Sequence, residues 1–137
     1  MLFTTKDRYR TDYIVVTSTN STPSEDADLI SLDRSHRQLG FISFRYHYLI
    51  NRNGKIEQGR GNKTHGQDSK YYNDNSIYIA LVGGKSLDGD NVNNFTDEQL
   101  ESLEVLTSLL KESYPNISVI PSKQLHPSTL ESFNNAN

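Results

Sequence analysis

Four histidines are the side chains in this sequence best suited to proton transfer or metal binding: His36, His47, His65 and His126. The sequence contains no cysteine, which excludes a thiolate ligand and a thiol nucleophile. Glu131 is the carboxylate that could join His126 near the carboxyl end of the chain. A metal site made of His65, His126 and Glu131, which come from separate loops without supporting hydrogen bonds, would be unusual for a catalytic centre.

Glycines and serines indicate no second chemistry. Gly83-Gly84 and Gly59-x-Gly61 lack the strand, loop and helix spacing of a phosphate-binding loop, and are more typical of strand ends. No nucleophile-elbow motif places a serine for attack. We therefore predict neither a nucleotide site nor a serine hydrolase.

Composition limits the possible partners. At 137 residues, the chain has the size of one domain, and we predict a single domain over residues 1–137. Fourteen Lys and Arg residues against seventeen Asp and Glu residues give a weakly acidic molecule. Neither nucleic acid nor an anionic membrane is favoured as a partner by this charge. The absence of cysteine also excludes disulfides, which suits a reducing cytosol.

The amino-terminal segment, MLFTTKDRYR, has no apolar run of signal-peptide length. No other segment approaches the roughly 20 apolar residues that span a bilayer. We therefore expect a soluble protein without a signal peptide.

The secondary structure that must position these side chains begins with a strand and a helix. Residues 12–19 (DYIVVTST) have the β-branched and aromatic composition of a buried strand. Pro23 and Ser24, followed by acidic residues, favour a helix start, and Gly40 favours its end. The acidic first turn is Glu25, Asp26 and Asp28, and the predicted inner face is Ala27, Ile30 and Leu39.

The next segment predicts a hairpin. Residues 44–51 alternate between apolar and polar types, which is typical of a strand and places Tyr46 and His47 on opposite faces. His47 is therefore more consistent with a hydrogen-bonded core histidine than with a ligand. Asn53-Gly54 predicts a tight turn, since both residues accept positive φ, and residues 55–57 the returning strand. Residues 59–75 predict a long surface loop.

The second half predicts a central strand over residues 77–84, a long helix and a short strand over residues 117–120. Thr96 and Gln99 form a capping box at the start of that helix, and its apolar stripe is Leu100, Leu103, Leu106 and Leu110. After Pro121, the chain is predicted to run out as a polar tail. The fold class is α/β, one domain with a central mixed sheet flanked by helices.

Several of these segments keep the order and spacing of one family's motifs. They are TDYIVV (11–16), RYHYLI (45–50), NGKIEQGR (53–60), LVGG (81–84) and FTDEQL (95–100). Together they resemble the zinc-dependent N-acetylmuramoyl-L-alanine amidases, which include phage lysozymes of the amidase type and peptidoglycan-recognition proteins. The resemblance runs from about Thr11 to about Asn134 and implies a groove on one face of the sheet.

The resemblance also implies where zinc would bind. It places Thr17, Ser122 and Leu130 at the three ligand positions of the working enzymes. Neutral hydroxyls compete poorly with water for zinc, and leucine has no lone pair, so we predict that zinc, the expected cofactor, is absent. Tyr46 matches the tyrosine that the family places beside the metal, whereas His36 matches a histidine outside the metal site, which we interpret as structural or solvated.

These residues lead to three functional hypotheses. The first is a noncatalytic amidase-fold protein that binds a peptidoglycan fragment, with contacts from Tyr46, His65 and Lys123, and with His126 near the groove. The second is a protein-binding regulator, or a virion or anti-defence component of a phage. The third is an active amidase with ligands rearranged to His65, His126 and Glu131. The resemblance implies a phage or prophage origin, with the protein in the infected host's cytoplasm or the virion.

Overall fold

The computed structural model describes residues 6–25 and 27–131, which form a five-stranded sheet. Its strands are β1 (Tyr13–Ser18), β2 (Tyr48–Ile50), β3 (Ile56–Gln58), β4 (Ser76–Leu81) and β5 (Ser118–Pro121). They lie in the order β3-β2-β4-β1-β5, and only the β2–β3 pair is antiparallel. The predicted α/β fold with a mixed central sheet is therefore confirmed. No helix within the described ranges combines the length and apolarity needed to cross a bilayer.

The two central strands, β1 and β4, are buried on both faces, as expected for parallel strands covered on each side. Ile14 and Val16 of β1 belong to the apolar cluster beneath the long helix. Val15 belongs to the opposite cluster, and Thr17 shares its face because side chains alternate along a strand. The polar Thr17 is fully buried on that second face.

The long helix, α2 (Asp97–Ser113), starts as predicted. The Thr96 hydroxyl accepts a hydrogen bond from the Gln99 N–H (3.1 Å), and the Gln99 side chain accepts one from the Thr96 N–H (2.9 Å). Three of the four predicted stripe residues are fully buried against the sheet: Leu103, Leu106 and Leu110. The capping box and the apolar stripe thus agree on one helix position.

The first helix, α1 (Leu29–Gln38), starts later than the sequence predicts. Asp28 is its N-cap and accepts a hydrogen bond from the Ser31 N–H (2.8 Å). Glu25 therefore precedes the helix instead of occupying its first turn, and Asp26 lies outside the described residues. Gly40, with φ of +100°, follows the helix as predicted.

The predicted inner face of α1 is wrong for two of its three residues. Ile30 is 73% exposed and Leu39 is 71% exposed, whereas Leu29 and Leu32 pack against the sheet. Ala27 is buried, but it lies before the helix. Leu29 and Leu32 are three residues apart and therefore lie on one face of the helix, which is the face that meets the sheet.

The strand predicted over residues 44–51 is reduced to the three residues of β2. The Tyr78 N–H, which a regular ladder would pair with a backbone carbonyl, donates instead to the His47 ring (Nδ1, 2.9 Å). Regular pairing stops there, although Tyr46 and His47 are both buried. The alternation of this segment therefore does not extend the regular ladder back to residue 44.

The predicted hairpin is confirmed, but its turn is longer than two residues. The Asn51 N–H donates to the Lys55 carbonyl, which leaves residues 52–54 as the loop. Gly54 has φ of +89°, whereas Asn53 has no positive φ. The long loop over residues 59–75 holds no strand or helix, only a single bridge between Asp7 and Thr64.

The segment after β5 is not a polar tail. Leu125 and Leu130 are buried in the core beneath α2, and a short 3-10 helix spans Pro127–Leu130. These two apolar side chains fold the segment back onto the domain. The predicted tail at residues 135–137 lies outside the described residues.

Candidate functional site

A cleft opens at the carboxyl end of β1, next to α1. It has a volume of about 340 Å³. Its walls include the turn after β1, with Asn20, the helix residue His36, the Arg45-Tyr46 segment and Gln124. The cleft lies on the same face as Thr17, because Tyr46 and Val15 share one apolar cluster.

Three uncharged polar side chains meet where β1 ends. The Ser122 hydroxyl donates to the Thr17 hydroxyl oxygen (2.8 Å), and the Gln124 amide donates to the same oxygen (3.0 Å). The Gln124 amide also donates to the Ser18 carbonyl (2.7 Å). This group, which we name the Thr17 cluster, is held together by hydrogen bonds among its own members and carries no charge.

Leu130 contributes to a different part of the molecule. Its side chain is 2% exposed and packs in the apolar cluster beneath α2, together with Leu125. The structure therefore brings two of the three positions, Thr17 and Ser122, into direct contact and uses the third as core.

Tyr46 forms part of the cleft wall, with its ring almost fully buried between other aromatic rings. Its hydroxyl donates to the Asp68 carboxylate (3.2 Å), which also accepts a hydrogen bond from Arg45 (2.5 Å). Burial, followed by the negative charge of Asp68, raises the pKa of Tyr46. The phenol is therefore a neutral group whose oxygen can accept a hydrogen bond from a ligand.

Sequence reasoning did not identify Arg45, Asp68 or Gln124 as site residues. Asp68 lies in the long loop, and Gln124 lies in the segment predicted to be a tail, so no periodic pattern placed either of them. His36, interpreted from sequence as structural or solvated, lines the cleft. Its Nδ1 accepts a hydrogen bond from the Arg45 N–H (3.1 Å), which gives the ring a positioning role.

The remaining predicted contacts, His65, Lys123 and His126, are not among the residues that line the cleft. His65 is buried beside the amino-terminal segment, where its N–H donates to the Lys6 carbonyl. His126 caps the short 3-10 helix by accepting from the Ser128 N–H (3.1 Å). Lys123 and Glu131 are exposed. The structure therefore gathers neither the predicted binding contacts nor the alternative metal ligands into one site.

His47 is a core histidine, as the sequence predicts. Its Nδ1 accepts from the Tyr78 N–H (2.9 Å), and its Nε2 lies 2.6 Å from the Thr64 carbonyl oxygen. That pair of partners requires the neutral ring with its proton on Nε2. Burial lowers the pKa of His47 to about 4.

This buried ring predicts a loss of stability in acid. Well above pH 6.5, His47 is neutral in both the folded and unfolded states, and its contribution to the free energy of unfolding is fully present. As pH falls from there to about 4, the unfolded chain binds a proton that the folded chain excludes. We expect the titration of His47 to lower the free energy of unfolding by about 3 kcal/mol across this window.

Urea denaturation at several pH values measures this loss, and the variant His47→Asn supplies the comparison. An uncharged amide cannot titrate, so the variant should be less stable at neutral pH but should lose less on acidification. Equal pH dependence in the two proteins would show that His47 is not the group responsible.

The sequence of this chain is similar to one protein family and to the endolysins of several phages. The family model for N-acetylmuramoyl-L-alanine amidase matches residues 7–128. The endolysin of Escherichia phage T7 is 33% identical over 128 residues, covering 93% of this chain and 85% of that endolysin. The endolysin of Enterobacteria phage T3 is 32% identical over the same length. This chain belongs to the N-acetylmuramoyl-L-alanine amidase family.

Solved structures of amidases and recognition proteins share the fold. The amidase LysC from Clostridium intestinale superposes with a TM-score of 0.75 at 21% identity, covering 96% of this chain and 90% of LysC. PGRP-Hd from Alvinella pompejana gives 0.76 at 18% identity, covering 96% and 87%. Drosophila peptidoglycan recognition protein SD gives 0.65 at 20% identity, covering 85% and 73%.

Zinc, which this amidase family implies, does not fit the three positions at which the resemblance places its ligands. The Thr17 and Ser122 hydroxyls are hydrogen-bonded to each other, and Leu130 offers no donor atom. Zinc prefers imidazole, thiolate or carboxylate ligands, so these three positions cannot hold it. Within residues 6–25 and 27–131, no three His, Asp or Glu side chains are grouped to bind a metal.

Proposed function

We propose that this member of the amidase family is noncatalytic and that its cleft binds a fragment of cell-wall peptidoglycan. The Thr17 cluster is the observation that carries the proposal. Its hydrogen bonds form a finished, uncharged structure at the position where the family resemblance places a metal. Without a bound metal, nothing in the cluster would lower the pKa of an attacking water.

The groups around the cleft suit a neutral ligand rich in amides and hydroxyls. The Tyr46 hydroxyl donates a hydrogen bond to Asp68, so the lone pairs of its oxygen can accept one from a ligand. The Gln124 nitrogen is committed to Thr17 and Ser18, which leaves its carbonyl oxygen as an acceptor. Both acceptors can bind the N–H and O–H groups of peptides and sugars. The peptidoglycan recognition named in the similar Drosophila protein supports this class of ligand.

Sedimentation with insoluble peptidoglycan tests the binding, with Tyr46→Phe as the variant. We expect the wild-type protein to sediment and the variant to bind about three- to tenfold more weakly, because it loses one hydroxyl hydrogen bond. Tyr48→Phe is the matched control. It also removes a bonded hydroxyl (2.7 Å to Asn62), but Tyr48 packs in the cluster on the other face.

The same preparation is assayed for zinc and for release of stem peptides. Bound protein with far less than one zinc per chain and no peptide release would support the proposal. Stoichiometric zinc with release that a chelator abolishes would overturn the noncatalytic reading and favour rearranged ligands. Absence of sedimentation would overturn wall binding and favour a protein partner.

A further inference from the structure

A second cavity, of about 490 Å³, lies between α1 and the segment that follows β3. Leu29, Ile30 and Phe44 give it apolar walls, and Asp33, Arg37 and Arg60 contribute charged groups. It has no lining residue in common with the cleft that contains Tyr46. The second cavity is therefore separate from the proposed peptidoglycan site.

Arg60 is the buried cation of this cavity, with only 5% of its surface exposed. Its guanidinium donates to the Phe44 carbonyl (2.9 Å), to the His65 carbonyl (3.0 Å) and to the Gln67 side-chain oxygen. All three acceptors are uncharged. Burial lowers the pKa of Arg60 to about 10, which still leaves it protonated at neutral pH.

The other charged residues in the cavity already compensate each other. One oxygen of Asp33 accepts from the Phe44 N–H (2.7 Å), and the other forms an ion pair with Arg37 (2.8 Å). Within residues 6–25 and 27–131, Arg60 forms no ion pair with a carboxylate. Among the described residues that line it, the cavity therefore has one more positive than negative charge, although the Asp33 carboxylate is close enough to act on Arg60.

We propose that the second cavity binds the carboxylate of a small ligand, such as an acylated amino acid or the carboxyl end of a short peptide. A guanidinium has five N–H donors, and the three bonds above leave two of them for an incoming anion. A buried charge without a counter-ion is costly, so a bound carboxylate would relieve that cost. The apolar walls accommodate the alkyl part of such a ligand.

A pair of small probes tests this site by NMR: N-acetyl-Ala-Ala with a free carboxylate, and the same peptide with a carboxamide end. We expect the free acid to shift the backbone amide signals of Gly59 and Gly61, which line the cavity. We expect the carboxamide to bind about tenfold more weakly, because it lacks the charge-assisted hydrogen bond.

The variant Ile30→Glu places a negative charge at the cavity without disturbing the core, because Ile30 is 73% exposed on α1. At low ionic strength, it should weaken binding of the free acid about threefold. Ile30→Gln, of the same size but uncharged, is the matched control: both variants lose the same apolar contact, so the roughly threefold difference between their affinities measures the added charge.

Three results would overturn the carboxylate site. They are equal binding of the acid and the carboxamide, shifts confined to the Tyr46 cleft, and identical affinities for Ile30→Glu and Ile30→Gln. None depends on sedimentation with peptidoglycan, so this site and the proposed function succeed or fail separately.

Discussion

Replacing Gln99 by leucine should lower the free energy of unfolding by about 3 kcal/mol, although Gln99 lies outside the candidate site. Its amide nitrogen donates to the Ile50 carbonyl (3.0 Å) and to the Val82 carbonyl (2.9 Å), at the ends of β2 and β4. Its oxygen accepts from the Thr96 N–H (2.9 Å). Leucine would bury these backbone groups with fewer partners and would remove half of the capping box.

Gln99→Glu separates shape from hydrogen bonding, since a carboxylate cannot donate to either carbonyl. Repulsion from those oxygens and burial should raise the pKa of the new glutamate above the unfolded value of about 4.3, against the opposing effect of Arg52, whose Nη1 lies 3.3 Å from the Gln99 oxygen. Its stability should therefore decrease as pH rises above that value. Urea denaturation at acidic and neutral pH measures this change, with the exposed Glu98→Gln as control. A variant as stable at neutral pH as in acid would contradict this account.

Gly59→Ala should cost about 3 kcal/mol and should also weaken peptidoglycan binding. A β-carbon at this position would overlap the Tyr46 carbonyl oxygen and lie 2.5 Å from Phe44 Cδ2. Because the Tyr46 backbone cannot keep its position, the wall of the cleft must move with it. The loss is steric, since φ at Gly59 is not positive.

Gly61→Ala is the matched control two residues away. Its β-carbon would meet only Thr64 Oγ1 at 3.7 Å, an ordinary contact, and its φ is also not positive. Alanine there should raise stability by about 0.5 kcal/mol by restricting the unfolded chain. Urea denaturation and sedimentation of both variants test the pair. Similar stabilities would mean that the close packing of Gly59 against Tyr46 does not exist in solution.

Short stretches of sequence predict those elements that depend only on residues close together in the chain. The capping box at Thr96 and Gln99 needs only residues three apart, and the structure shows the expected bonds. Gly40 and Gly54 likewise predict a helix end and a turn, because glycine readily adopts positive φ, and both residues have positive φ in the structure. The apolar stripe of α2 identified its buried face because one helix face meets the sheet.

Signals that depend on distant partners misled the prediction. Alternation over residues 44–51 predicts one long strand, yet regular pairing covers only the three residues of β2, because the distant Tyr78 N–H donates to the His47 ring. The polar composition after Pro121 predicts a tail, yet Leu125 and Leu130 suffice to anchor it. Burial depends on the neighbours that the fold supplies, which no window of sequence contains.

By itself, the sequence determined the family and the mixed sheet, and it predicts the replacement of three expected ligands at positions 17, 122 and 130. These follow from residue types and their order. Only the tertiary structure decided that Gln124 joins Thr17 and Ser122, that Asp68 accepts from Tyr46, and that Arg60 is buried without a carboxylate partner among the residues the structure describes. The Gln124–Thr17 and Tyr46–Asp68 contacts join residues distant in the chain, and only packing of the whole domain sets such distances.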